Sequence, residues 1–338
     1  DIVFIHDPPV AGLLPKAQDA GARTVFRCHL GVGVPNEHAR RAWDFLRPWV
    51  SSADGYVFTR AEYLWEGLDT DKVAIQLPSI DPFSPKNQEL RPEVVLSILD
   101  RVGLTRSGVD AERTFTRFDG SPYRVNSRAE IDQRAPIPPE AGVVAQVSGW
   151  ERLKDQAGLV EALTRSRHPD LHLVLAGPSA AARSVESEER QAIAELREQR
   201  HSLPEAIGRR VHLAELPVED RDENAAIVNA IQRRADLIVH KSLEEAFGLS
   251  VTEAMWKARP VLASRVGGLR AQIVDGETGV LVDPRDLAAV AEQIDALMAD
   301  PRRRQALGTA AREHVGRHFL TSAHFAAYLR RIERVVAR

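Results

Sequence analysis

The stretch LIVHKSLEEAFGLSVTEAMWKARPVLA, residues 237–263, predicts one strand–loop–helix–strand unit. Its ends, 237–240 and 261–263, are short aliphatic runs of the kind found in buried strands, and Gly248 stands where the helix between them begins. Two neighbouring strands that are joined through a helix lie parallel in their sheet. The stretch therefore predicts a βαβ unit and an α/β fold.

Short apolar runs alternate with amphipathic segments on both sides of this unit. In the second part of the chain they predict strands at 143–148, 171–176, 211–213, 237–240, 261–263 and 280–282. In the first part they predict strands at 2–6, 25–29, 55–58 and 73–75. Between the two parts, the turn signal Asp119-Gly120 predicts a hairpin. We expect two Rossmann-like domains, of which the first has a thin sheet.

The proline-rich stretch LPSIDPFSPKN, residues 77–87, predicts a linker between the two domains, and we expect a hinge within it at 78–85. We therefore expect one domain over 1–82 and a second over 83–319, with a last helix over 320–338 that packs back on the first domain. Because the chain opens on the strand-like run DIVFIHDPP without a methionine, we expect the first domain to be truncated at its N-terminus.

The composition excludes several classes of protein. With 43% hydrophobic residues, 28% charged residues and a net charge of −3, the chain has the balance of a folded protein and no surplus of positive charge for nucleic acid. Its apolar runs are shorter than the roughly 20 residues that span a bilayer. The single cysteine, Cys28, cannot form an internal disulfide and has no metal-ligand spacing around it. We expect a cytoplasmic protein with no nucleic-acid, membrane or metal partner.

Candidate binding residues follow the predicted strands, because ligands of open parallel sheets lie beyond the carboxyl ends of the strands. In the second domain such residues are Lys154, Gly177 and the loop that ends at Gly248, where a helix start favours a phosphate. The ammonium of Lys154 adds a positive charge for the same anion. The candidates in the first domain are Asp7, Arg27 and His29.

Several of these features also have a purely structural interpretation. Ser250 and Glu253 have the spacing of a capping box, in which both side chains close the helix start, and spacing alone does not favour binding over capping. The pair Gly267-Gly268 is either a plain turn or a place where the backbone approaches a ligand. Trp150 and Trp256 either stack on a ligand or fill the core, and the core is the default for a tryptophan.

With these motifs the chain resembles the retaining GT-B glycosyltransferases of family GT4. The run EAFGLSVTEAMWKARPVLASRVGGL, residues 245–269, is similar to their signature of two glutamates eight positions apart, here Glu245 and Glu253, followed by a glycine pair. The runs IHDPP, FRCHL, PSIDPFSPKN, VSGWERLKD and IVDGETGVLV make the chain similar to the glycosyltransferring trehalose synthases and, more distantly, to retaining trehalose phosphorylases. This similarity covers nearly the whole chain.

The resemblance implies a GT-B fold, in which an acceptor-binding domain and a nucleotide-sugar-binding domain face a cleft. It implies a reversible transfer of glucose from a nucleotide diphosphate glucose to free glucose, giving trehalose with retention and without a cofactor or a metal. A retaining trehalose phosphorylase and a non-catalytic nucleotide-sugar-binding module are the alternatives. The relatives also imply a homodimer.

The resemblance further implies roles for individual residues. The catalytic residues are Glu245, which holds the donor sugar, Lys154, which neutralises the leaving phosphate, and His29. The donor-binding residues are Glu253 on the ribose, Phe247, Gly248, Leu249, Gly177 and Arg152. The acceptor-binding residues are Arg27, His29 and Asp7.

Two positions depart from the family pattern. Gly149 stands where the family has an arginine that helps Lys154 to clamp the diphosphate, and Arg152 either substitutes for that arginine or points elsewhere. Ala246 stands where the family prefers glycine, so a positive φ at this position would strain the backbone.

Overall fold

The structure, a computed structural model, describes residues 1–182 and 187–336. Within them the strands are, in chain order, β1 Ile2–His6, β2 Arg23–Cys28, β3 Gly55–Phe58, β4 Val73–Ile75, β5 Thr114–Thr116, β6 Pro122–Arg124, β7 Glu130–Asp132, β8 Gly142–Val147, β9 Leu171–Pro178, β10 Val211–Leu216, β11 Leu237–His240, β12 Val261–Ser264 and β13 Val280–Val282. The α-helices are α1 Leu14–Asp19, α2 Glu37–Val50, α3 Pro92–Val102, α4 Gln156–Arg165, α5 Glu188–Ser202, α6 Glu205–Gly208, α7 Arg221–Arg234, α8 Leu249–Trp256, α9 Leu269–Gln272, α10 Leu287–Ala299, α11 Pro301–His318 and α12 Thr321–Val336.

The chain forms two compact units. Unit 1 holds Asp1–Ser79 and the chain from Arg317 onward, and unit 2 holds Ile80–Gly316. The binding roles expected for the domains over 1–82 and 83–319 stay predictions. In the helix expected over 320–338, the last two residues lie outside the described ranges. None of the helices described is long and apolar enough to cross a bilayer.

The sheet of unit 1 has the strand order β1-β2-β3-β4 and is parallel throughout. The predicted strands at 2–6, 55–58 and 73–75 are confirmed, and β2 begins two residues before the predicted position 25. One face of β2 carries Phe26 and Cys28, which are buried with aromatic residues of β3. The other face carries Val25, which packs with Val57 and with Val335 of α12. Both faces of this strand are therefore buried from Thr24 to Cys28.

The sheet of unit 2 has seven strands in the order β13-β12-β11-β8-β9-β10-β7, and β7 alone is antiparallel to its neighbour. The six strands predicted from the sequence are all present. Strand β7 was not predicted, because Glu130-Ile131-Asp132 has two charged residues and no apolar run. It forms at the edge of the sheet through its pairing with β10, where Ile131 lies opposite Ala214. Tertiary pairing here overrides a weak local signal.

The chain order of the strands reverses beside β8. From β8 the chain continues to β9 and β10 on one side and then returns to β11 on the other side. Strands β8 and β11 are parallel neighbours, with Val144 opposite Leu237. In open α/β sheets the loops beyond the carboxyl ends of two such strands form the ligand site. The fold therefore directs attention to the loops that follow β8 and β11.

The predicted hairpin at Asp119-Gly120 is confirmed, with β5 and β6 antiparallel on either side of a turn in which Gly120 has φ 84°. The hairpin is attached to the start of α7. Arg117 pairs with Asp220, the N-cap residue of α7, and its guanidinium lies 3.7 Å from the centre of the Tyr123 ring. The segment therefore belongs to unit 2 structurally.

Candidate active site

The loops after β8 and β11 are joined by one buried amide. Gln146, which is 1% exposed on β8, donates from Nε2 to the carbonyl of Lys154 at 2.8 Å. Its Oε1 accepts from the backbone N–H of Lys241 at 2.9 Å. Both ends of the side chain are thus satisfied, as burial of an amide requires. The amide fixes the position of one loop relative to the other.

A buried ion pair reinforces the connection. The ammonium of Lys241, whose side chain is 1% exposed, bonds to Asp155. Asp155 has φ 49° and is also the N-cap of α4, where its Oδ1 accepts from the N–H of Gly158 at 3.1 Å. A Cβ at Gly158 would lie 2.5 Å from the Lys241 Nζ, so a side chain at that position would displace the ion pair. Asp155 adjoins Lys154 in the chain, and the pair therefore holds the Lys154 backbone in place.

Lys154 and Glu245 meet at the centre of the site. Lys154 Nζ lies 2.6 Å from Glu245 Oε2, and their side chains are 21% and 9% exposed. His240 Nε2 lies 2.7 Å from the same oxygen, and Ser242 Oγ donates to it at 3.3 Å. The structure thus brings together two of the residues predicted as catalytic, and adds His240 and Ser242, which the sequence analysis did not identify.

The contacts of Glu245 determine its charge. Burial alone would raise the pKa of this carboxyl, but the hydrogen bond and charge of His240 and the ammonium of Lys154 lower it to about 2. Glu245 is therefore ionised at neutral pH. Because an ionised carboxylate only accepts hydrogen bonds, His240 Nε2 carries the proton. The opposite ring nitrogen, Nδ1, lies 3.2 Å from Ser250 Oγ, which orients the ring.

The start of α8 corrects one interpretation made from the sequence. The N-cap residue is Gly248, with φ 88°, and the helix begins at Leu249. Ser250 is therefore already inside the helix, and its hydroxyl bonds to His240 instead of closing the helix start. Glu253 lies 3.6 Å from Lys86 through Oε1. The capping-box interpretation of Ser250 and Glu253 is wrong, because it needs Ser250 as the N-cap and the helix begins two residues too early for that.

The glycine pair 267–268 packs against the loop that carries Glu245. A Cβ on Gly268 would lie 2.4 Å from the carbonyl oxygen of Ala246, and the N–H of Gly268 donates to the carbonyl of Glu245 at 2.9 Å. The glycine pair therefore lets its own segment of the chain approach the loop after β11 closely. The strain considered for Ala246 is absent, since the described non-glycine residues with positive φ are Asp7, Asp155 and Ala258.

Two predicted donor residues have partners away from the Lys154–Glu245 pair. Arg152 makes a bidentate ion pair with Glu195 at 2.6 and 2.8 Å, so the structure does not bring it to Lys154. Gly177 lies at the end of β9, where a Cβ would be 2.7 Å from the Trp150 ring. Trp150 is 2% exposed and donates from Nε1 to the carbonyl of Pro178 at 2.7 Å, which confirms its default role in the core.

The departure at Gly149 has a local explanation. The carboxylate of Glu151 occupies the space beside Gly149, where a Cβ would lie 2.3 Å from Oε2. That oxygen is buried and has no hydrogen-bond partner among the residues described. An unpaired buried carboxylate oxygen is costly. The position that the family gives to an arginine is thus bordered by a negative charge here.

The three acceptor candidates of unit 1 also lie together. Asp7, at φ 64°, accepts from the N–H of His29 at 2.7 Å and donates its own N–H to the carbonyl of Arg27 at 2.9 Å. His29 Nε2 lies 3.0 Å from His6 Nδ1, and the two rings stack. Burial, together with the nearby Arg27, lowers the pKa of His29, which favours a neutral ring at pH 7. A left-handed aspartate is a strained feature of the kind that marks functional sites.

Arg27 is fully buried in unit 1. Its Nη2 donates to the carbonyl of Gln76 at 3.0 Å, whereas Nε and Nη1 have no partner among the described residues. Burial lowers the pKa of Arg27, and Tyr328 is the group that opposes this shift most. The structure also shows no group of three or more His, Cys, Asp or Glu suited to a metal in the residues it describes.

Comparisons with known proteins find relatives over most of the chain. Residues 127–314 match the family described as Glycosyl transferases group 1, and residues 1–65 match the family described as Trehalose synthase, N-terminal domain. The trehalose synthase of Pyrococcus horikoshii is 32% identical over 331 residues, which are 97% of this chain and 68% of that protein. The trehalose synthase of Rubrobacter xylanophilus is 31% identical over 336 residues, 95% of this chain and 66% of that protein.

A solved structure shows the same fold at low sequence identity. The crystal structure of Anabaena Alr3699/HepE in complex with UDP-glucose has a TM-score of 0.73 and 16% identity, over 100% of this chain and 79% of that chain.

Proposed function

The chain is a glycosyltransferase of the GT-B fold that belongs to the group 1 glycosyl transferases, and we propose that it transfers glucose from a nucleotide diphosphate glucose to free glucose. The product would be trehalose, formed reversibly and with retention. The observation that carries this proposal is the contact between Lys154 and the ionised Glu245 beyond the switch point of the unit 2 sheet. The names of the relatives, trehalose synthase, support the choice of acceptor.

The donor roles follow from charge. Departure of the diphosphate builds positive charge on the sugar and negative charge on the leaving group. The carboxylate of Glu245 faces the first, and the ammonium of Lys154, together with the N–H groups at the start of α8, faces the second. In this proposal Glu253 holds the ribose, and Phe247, Gly248 and Leu249 offer their backbone to the sugar and diphosphate.

The proposed mechanism needs neither a metal nor a protein nucleophile. The acceptor hydroxyl attacks the anomeric carbon from the face that the diphosphate leaves, and a phosphate oxygen receives its proton. We assign the acceptor glucose to Asp7, Arg27 and His29 of unit 1, where the neutral ring of His29 is able to hydrogen-bond a hydroxyl. A homodimer remains part of the proposal.

A product assay tests the proposal directly. The purified chain is incubated with glucose and, separately, with UDP-, ADP- and GDP-glucose, and NMR follows the anomeric protons of trehalose. We expect trehalose with at least one donor and its loss in Glu245→Gln. The matched control is Glu244→Gln, which removes the same charge from the neighbouring exposed residue and is expected to leave the rate unchanged. No trehalose from any donor contradicts the proposal.

The crowding at Gly149 favours a second candidate, a module that binds the nucleotide-sugar without turnover. Calorimetry distinguishes the two candidates, since the module binds nucleotide and forms no product. Release of glucose 1-phosphate from trehalose and phosphate without nucleotide would instead identify a phosphorylase.

A further inference from the structure

Two motifs that are far apart in the sequence are joined in unit 2. One is the part of the proline-rich stretch that belongs to unit 2, residues 80–87, and the other is the end of α8 with the following Lys257. Lys257 is 2% exposed, and its ammonium donates to Asn87 Oδ1 and to the carbonyl of Glu253, both at 3.1 Å. Burial lowers the pKa of Lys257 to about 7. Burial of an ammonium is unfavourable unless it is hydrogen-bonded. The two hydrogen bonds of Lys257 therefore fix the position of Asn87 against the helix that carries Glu253.

Helix α7 holds the same stretch from a second direction. Asn229, which is 0% exposed, donates from Nδ2 to the carbonyls of Pro85 at 3.1 Å and of Gln88 at 2.9 Å. Asn87, which is 3% exposed, donates to the carbonyl of Asp81 at 3.0 Å. Buried side-chain amides at both ends thus hold a stretch that has no regular secondary structure.

These hydrogen bonds hold the side chain of Lys86 next to Glu253. Lys86 lies between the anchored residues Pro85 and Asn87, and its Nζ is 3.6 Å from Glu253 Oε1. The Glu253 side chain is only 9% exposed, whereas that of Lys86 is 40% exposed. The ammonium therefore lies between a nearly buried carboxylate and solvent, where a ligand held by that carboxylate would meet it.

We propose that Lys86 is a nucleotide-binding residue that acts with Glu253 on the ribose of a nucleoside diphosphate. This inference rests on the proposed function, in which Glu253 holds the ribose. Glu253 accepts a hydrogen bond from one of the two vicinal hydroxyls, and the ammonium of Lys86 donates to a hydroxyl oxygen beside it. The pair thereby distinguishes ribose from sugars that lack these hydroxyls. The hydrogen bonds to residues 85–88 keep the ammonium of Lys86 within reach of the ribose.

Calorimetry with defined nucleotides tests the proposal. The full chain is titrated with UDP, ADP and GDP, and the tightest of the three is then compared with its 2′,3′-dideoxy form. For Lys86→Met we expect affinity for the ribonucleotide to fall about 5- to 20-fold, and affinity for the dideoxy form to change less than 2-fold. Lys86→Arg keeps a donor and is expected to recover most of the loss. Arg91→Met removes an equally positive side chain that is 74% exposed, and is expected to bind like the wild type.

The outcomes separate this proposal from the proposed function. If the wild type binds a nucleotide and Lys86→Met binds it equally well, the assignment of Lys86 is wrong while the transferase remains. Equal losses for the ribonucleotide and its dideoxy form also overturn it, because they indicate a general effect of charge. If a nucleotide binds with the expected dependence on Lys86 and no trehalose forms, only the transfer reaction is wrong. If the wild type binds none of the three nucleotides, both proposals are wrong.

Discussion

Replacing His240 should change the pKa of Glu245. The imidazole donates to Glu245 Oε2 at 2.7 Å, and the same oxygen receives the ammonium of Lys154 at 2.6 Å. His240→Leu removes the donor, whereas His240→Gln keeps an N–H able to reach the carboxylate. We expect the leucine variant to raise the pKa of Glu245 and the glutamine variant to raise it less.

The size of the effect follows from the contacts. Although burial alone would raise it, the pKa of Glu245 stands at about 2 instead of 4.5, a difference worth about 3 kcal/mol. A hydrogen bond to a charged group contributes about 1.5 to 3 kcal/mol. Loss of the imidazole should therefore move the acidic limb of the pH profile upward by about one to two pH units. Ser242→Ala removes a longer bond, 3.3 Å, and is expected to move the limb by less than about half a pH unit.

The assay is kcat/KM for trehalose formation as a function of pH. Unfolding free energies give an independent measurement, because a carboxyl with a lowered pKa stabilises the fold above pH 4.5 and loses that contribution as the pH falls toward 2. In His240→Leu this acid-linked loss should be smaller. If both the acidic limb and the acid-linked loss are the same in the leucine variant and the wild type, His240 does not control the charge of Glu245.

Three further predictions concern packing and charge. Gly268→Ala places a Cβ 2.4 Å from backbone atoms of the loop after β11, so thermal unfolding should show a loss of more than about 2 kcal/mol and nucleotide binding should weaken; wild-type behaviour would contradict the packing argument. Burial lowers the pKa of His212 to about 3 and of its partner His172 to about 4, so the unfolded chain takes up protons below pH 6.5 that the folded chain does not. Stability to urea should therefore fall by about 1.4 kcal/mol per pH unit for His212 between pH 6 and 4, and by less for the more exposed His172, with a flatter dependence in His212→Gln. Gly149→Arg should form an ion pair with Glu151 and tighten diphosphate binding severalfold in calorimetry; unchanged binding would show that the arginine is not what the site lacks.

The sequence predicted well those strands whose own residues form an apolar run. Strand β3 is apolar at every position and β11 at all but its last, His240, because both faces of a parallel sheet are covered, and the ends of both strands were predicted to the residue. Strand β7 depends on a partner strand about 80 residues away in the chain, and its own residues carry no such pattern. An edge strand of this kind forms because it pairs with a neighbouring strand, so its own sequence does not predict it.

The same distinction applies to the candidate site. Glu245 and Lys154 were identified because each follows a strand and because the chain resembles a known family, and the structure places them in contact. His240 was missed because it is the last residue of β11, and a histidine within a strand indicates no particular role until its partner is known. The Lys86–Glu253 contact spans 167 positions, and neither local pattern predicts the other residue. Such pairs are specified by tertiary structure.

The amide of Gln146 limits how this protein can be recombined with its relatives. It donates to the loop after β8 and accepts from the loop after β11, so the two loops share one hydrogen-bonded bridge of fixed polarity. A chimera that imports either loop alone inherits the backbone geometry of its parent but not the matching bridge. The two loops and Gln146 therefore form a single module for exchange, and a library built to alter donor choice should vary them as one block.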